Sequence, residues 1–132
     1  MISNPELRQR GLAHFERLFG AGAAEALVQD MEDICPDFTD MSIEWAIGGI
    51  TTRPGLDYVT RELVVIASCV TLGHTVTQLR AHTQAALAAG ATREQIIEAI
   101  LQLTFYAGGA AVRNALVHVK DILNGTVEHE SR

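Results

Sequence analysis

Three side chains in this 132-residue sequence have the types that handle protons and bind carboxylates: His82, Glu62 and Arg53. His82 shares a helical stripe with Thr75, Gln78, Ala85, Ala86 and Ala89. Small neighbours leave room for a ligand beside the imidazole, although a core histidine with one satisfied hydrogen bond fits the same pattern. Glu62 sits seven residues before Cys69, on the same face of an otherwise apolar helix. A carboxylate there must be paired, capped or functional. As a first-turn residue it also suits the helix dipole, with Arg61 or Arg53 as a partner. Arg53 precedes Pro54-Gly55, a rigid turn that can present a guanidinium to a carboxylate, though exposed loop arginines are commoner. Trp45 can wall a pocket or serve as plain core, and His74 can reach a pocket mouth or finish a helix. Cys69 reads first as a small buried hydrophobe, since apolar surroundings oppose a reactive thiolate. Arg113 and His118 fit an exposed face. Neither a Ser-His-Asp arrangement, nor a phosphate loop, nor metal-ligand spacing emerges, and Cys35 and Cys69 do not form a metal pair by spacing. Spacing alone supplies candidates but no reaction.

The elements that must position these residues are helices cut by breakers. Asn4-Pro5 opens a first helix that ends at Gly20, with Leu7, Leu12, Phe15 and Phe19 at helical spacing. A second runs from about Ala23 to Ile34 and a third from about Phe38 to Ile47, giving out at Gly48-Gly49. Residues 51–56 form a loop, because Pro54 pushes Arg53 out of helical space. The fourth helix, about Tyr58 to Leu72, is apolar nearly all round beyond Glu62 and should be buried on most sides, either inside the subunit or between subunits. The fifth runs from about Thr75 to Ala89 and stops at Gly90. Thr92 and Gln95 make a capping box for a sixth helix reaching about Tyr106, and the tight link predicts an antiparallel hairpin with the fifth. A seventh spans about Ala111 to Leu123, and the polar residues 126–132 read as a frayed tail. The fold class is all-α, with six to seven helices in one domain over 1–132 whose core covers about 10–123.

Composition limits the partners. A net charge of −6 without a Lys/Arg cluster argues against a nucleic-acid surface. Aromatics make up only 5% of residues, which points to close-packed Ala, Leu, Ile and Val helices. The longest apolar run, Leu63 to Leu72, is far below the ~20 residues of a membrane span, and no signal peptide is visible. A cytoplasmic protein is the expectation. So short a chain is unlikely to cover every apolar face by itself, so a homo-oligomer is expected.

Several segments together resemble the carboxymuconolactone decarboxylase family: Arg10-Gly11-Leu12, Thr52-Arg53-Pro54-Gly55-Leu56, Thr60-Arg61-Glu62-Leu63, Leu79-Arg80-Ala81-His82 running into Ala86-Leu87-Ala88-Ala89-Gly90, Thr92-Arg93-Glu94-Gln95-Ile96, and Tyr106-Ala107-Gly108. The resemblance implies an alkylhydroperoxidase D-like helical fold assembled into trimers or hexamers. It also implies cofactor-free loss of carbon dioxide from a small carboxylated lactone or related enol-type acid. Redox relatives carry a Cys-x-x-Cys four residues before the histidine; here Thr75 and Gln78 stand at those positions, so the dithiol is absent. Where family decarboxylases tend to have Gly-Glu-Ile-Trp, this chain has Gly48-Gly49-Ile50-Thr51, and Gly108-Gly109-Ala110 replaces a Gly-Ile-Pro-like run.

The roles implied are specific. Arg53 holds a carboxylate, His82 protonates carbon once loss of carbon dioxide has left a dienolate, and Glu62 orients His82 or holds its proton. Trp45, His74, Gln78 and Cys69 contact the substrate. Neither metal nor cofactor is called for, nor a nucleic-acid or membrane partner; the expected partners are a small carboxylated substrate and further copies of the chain. Two alternatives stay open: a non-catalytic binding or scaffold paralogue, and residual thiol redox chemistry at Cys69.

Overall fold

The computed structural model describes residues 3–127, and among them the regular structure is helical throughout. The chain divides into two compact units, Met1–Asp57 and Tyr58–Arg132.

In the first unit, α1 (Pro5–Phe19) begins where the sequence places it: the Asn4 side chain accepts from the Leu7 amide at 3.1 Å, with Pro5 in the first turn. Next come α2 (Ala23–Met31), shorter than its apolar pattern suggests, and α3 (Pro36–Met41). The chain then widens into a π-helix over Ser42–Thr51. The third helix therefore does not give out at Gly48-Gly49. Those glycines serve close approach instead: a Cβ on Gly48 would lie 2.0 Å from the Leu7 carbonyl oxygen, and one on Gly11 2.0 Å from that of Ile43. The backbones of α1 and the π-helix touch. Hydroxyls help close the wide turns, with Thr51 Oγ1 donating to the Ala46 carbonyl five residues back at 2.9 Å. Fully buried Glu44 ties the crossing together, accepting from Ser3 Oγ at 2.8 Å and from the Asn4 amide at 3.0 Å. Arg8 stands 3.8 Å from Glu44 and pairs with Asp40 at 2.9 Å.

The second unit contains α4 (Tyr58–Leu72), α5 (Val76–Ala89), α6 (Arg93–Leu101) with a 3-10 turn over Gln102–Phe105, and α7 (Gly109–Leu123). Ile66, Val70, Leu79, Ile96, Ile100 and Val119 form its core. The capping box is present: the Gln95 amide donates to Thr92 Oγ1 at 3.1 Å, and the Thr92 amide to Gln95 Oε1 at 2.9 Å. One expectation changes. The hairpin partner of α5 is α4, while α6 packs mainly on α4 and α7, because Ile96 and Ile100 point into the shared core. Within the single chain, Val64 and Leu72 of α4 are exposed. Arg80 ties α5 to α7 through a two-pronged pair with Asp121 (2.7 and 2.9 Å) and a bond to the His118 carbonyl at 2.6 Å. At the end of the described chain the Thr126 amide donates to the Asp121 carbonyl at 2.8 Å, so that residue is held; the remainder of the expected tail, 128–132, lies outside the described residues. No helix among the described residues is long and apolar enough to cross a membrane.

Candidate active site

Two antiparallel helices bring an imidazole and a carboxylate together in the second unit. Glu62 is the fifth residue of α4 and His82 the seventh of α5. His82 Nδ1 lies 2.6 Å from Glu62 Oε2. Seven residues further along α4, and seven back along α5, Thr75 Oγ1 donates to the Cys69 carbonyl at 3.4 Å. The pairs share one seam, about 10 Å apart by helical rise.

The burial of the two partners differs in a way that matters chemically. The Glu62 side chain is 4% exposed and that of His82 28%. A buried carboxylate needs a donor, and the imidazole provides one. An ionised carboxylate only accepts, so Nδ1 carries the proton of this bond and Nε2 becomes the nitrogen for proton exchange with a ligand. The alanines of α5 keep the helices close: Ala85 and Ala86 are fully buried. This arrangement can hold an imidazole in one orientation with a nitrogen available for general acid–base chemistry.

The remaining candidates fall elsewhere. Cys69 is 7% exposed and lines a cavity of about 40 Å³ with Thr75, Leu79, Asn114 and His118. That volume suits a few water-sized groups. Asn114 and His118 are four apart on α7 and both are exposed, as the sequence suggested for His118; Asn114 was not singled out there, and its spacing from His118 was the available signal. Gln78 is exposed on the first turn of α5. His74 turns back on its own loop, with Nδ1 3.2 Å from the Leu72 carbonyl oxygen. Arg53 and Trp45 belong to the first unit. Arg53 lies just past the π-helix, its amide donating to the Ile50 carbonyl at 3.0 Å, and Trp45 on that helix is 54% exposed. Among the described residues no three His, Cys, Asp or Glu side chains converge as a metal site. Cys35 is exposed and Cys69 buried, and both are free thiols.

Residues 36–121 match the sequence model of the carboxymuconolactone decarboxylase family, about two thirds of the chain. The chain belongs to that family. A 4-carboxymuconolactone decarboxylase of Acinetobacter baylyi is 33% identical over 89% of this chain and 87% of the relative. An uncharacterized 15.0 kDa protein of Paracoccus denitrificans is 34% identical over 76% of this chain and 75% of its own. A nitrosuccinic acid decarboxylase of Metarhizium robertsii is 26% identical over 96% of this chain and 90% of its own. As a carboxymuconolactone decarboxylase family member, the chain carries its His82–Glu62 pair inside the matched segment.

Proposed function

We propose that this protein is a decarboxylase of small, activated carboxylic acids in which His82 donates the proton that replaces carbon dioxide. The 2.6 Å bond between His82 and buried Glu62 carries the reading. Two relatives lend it support: their names give decarboxylation of acids bearing a lactone or a nitro group. Either group can accept the electron pair released when carbon dioxide departs.

The steps balance without a further reactant. The bond between the carboxylate and its carbon breaks, carbon dioxide leaves, and the electron pair moves into the lactone or nitro oxygens. Imidazolium His82 then gives its Nε2 proton to a carbon of that delocalised anion, and Glu62 retains the Nδ1 hydrogen bond throughout. Neutral His82 regains a proton from water, so one proton is consumed per turnover. Within this reading Arg53 holds a substrate carboxylate, a role suited to its planar fork of donors. Trp45, His74, Gln78 and Cys69 are the residues proposed to contact the substrate. Glu62 is a positioning residue: it acts through His82.

Turnover of 4-carboxymuconolactone and nitrosuccinate in deuterium oxide tests the proposal. The expected product of the accepted acid carries one deuterium on one face of a single carbon: the carbon that lost carbon dioxide in nitrosuccinate, and one carbon of the dienolate in the unsaturated lactone. A racemic label from the wild-type protein, or release of neither acid's carbon dioxide, would overturn it.

A further inference from the structure

The cavity beside Cys69 has a lining that the His82–Glu62 pair leaves unused. It lies where α4 ends, α5 begins and α7 passes, and its volume is about 40 Å³. Val70 and Leu79 give it an apolar floor, while Thr75, Asn114 and His118 are polar. Asn114 and His118 stand one turn apart on α7, both exposed, and among the described residues neither side chain is committed to another part of the protein. The Thr75 hydroxyl has only a long bond, 3.4 Å to the Cys69 carbonyl, and can turn to a ligand. Among the described residues the lining thus offers an amide N–H, a ring N–H and a hydroxyl, and no carboxylate. Donors without a competing carboxylate favour an anionic oxygen over a cation.

The cavity is also placed to share a ligand with His82. Both lie along the α4–α5 seam, about 10 Å apart by helical rise. Side chains lean toward the N-terminus of their helix, and the cavity is at the N-terminal end of α5. The imidazole therefore leans toward the cavity and shortens the gap. We propose that this cavity is the specificity subsite of the candidate active site: it holds a second carboxylate, at the end of the substrate remote from the one that leaves. The inference rests on the decarboxylase reading. A carboxylate has the size that about 40 Å³ admits. Asn114 and His118 donate to its oxygens, and Val70 and Leu79 pack against the carbon that bears it. An acid ending in a methyl group leaves both donors facing an apolar group and binds more weakly. Asn114 and His118 are thus specificity-determining residues, and His82 remains the proton donor.

Nuclear magnetic resonance of the histidine ring protons tests this without turnover. The titrants are succinate, glutarate and adipate, each against the monoacid of equal length: butyrate, pentanoate and hexanoate. These acids carry neither a nitro nor a lactone group, so they bind without reacting. At least one diacid is expected to bind about ten-fold tighter than its monoacid and to shift the His118 signal. Asn114→Leu/His118→Leu, with helicity checked by circular dichroism, should lose that advantage. If it unfolds, Asn114→Asp replaces it, because a like charge in the cavity should repel the second carboxylate. On whichever acid is turned over, the variant should raise KM about ten-fold and leave kcat nearly unchanged, as loss of uniform binding requires. Equal affinity for diacids and monoacids, a His118 signal that stays in place, or a variant that binds like the wild type would overturn the proposal. Diacid binding at His118 with no carbon dioxide released from 4-carboxymuconolactone or nitrosuccinate would support the subsite and overturn the decarboxylase reading alone.

Discussion

At the scale of single residues, the 2.6 Å contact with Glu62 holds the His82 imidazole in one orientation. His82 stood out in the sequence because alanines surround it; Glu62 stood out because its helix is otherwise apolar. Neither observation measured the distance between them, which depends on the antiparallel register of α4 and α5. Cys69 illustrates a different limit. Its position suggested a place at the substrate; the structure shows it 7% exposed, against a 40 Å³ cavity one seam position from the His82–Glu62 pair. Thiol labelling of the native protein should therefore show one fast thiol, Cys35, and one slow thiol, Cys69, that reacts at a comparable rate only after denaturation. Rapid labelling of both would mean that the cavity opens readily, and would revive thiol chemistry at this position.

At the scale of elements, the helix starts were legible because they are local. Asn4 with Pro5, and Thr92 with Gln95, satisfy orphan amides within three residues. The π-helix was not legible. Gly48-Gly49 has the composition of a helix breaker, and only the arrival of α1 explains why small residues are needed there. That crossing makes a strong prediction. Gly48→Ala drives a methyl group into the Leu7 carbonyl, a backbone atom that cannot swing aside as a side chain would. The loss should reach about 1–3 kcal/mol or more, in the range of overpacked cores, measured by urea unfolding. Gly55→Ala, where the space is open, serves as the comparison and should cost much less. Equal stability of the two variants would show that α1 and the π-helix do not meet backbone to backbone.

At the scale of the whole molecule, charge contributes to acid tolerance. Hydrogen bonding to Arg80 is the main reason the Asp121 carboxyl is lowered to about 2 from its ordinary 3.8, and the same bond raises Arg80. Because the folded value is depressed, the pair's contribution is present above about pH 4 and fades as the pH falls through about 2. Asp121→Asn should thus lower thermal stability at neutral pH and converge on the wild type near pH 2. A difference that persists unchanged at pH 2 would locate the effect in packing and not in charge. The all-α class and the family were readable from the full sequence because helical patterning and the family segments run along most of it.

The most direct test of the catalytic account is the initial rate of carbon dioxide release by the wild-type protein and by His82→Ala, on 4-carboxymuconolactone and nitrosuccinate in parallel. A proton-donating His82 predicts release from at least one acid and a fall of about 10²–10⁴-fold in the variant, with helicity unchanged. Equal rates from the two proteins would contradict the assignment of the proton to His82.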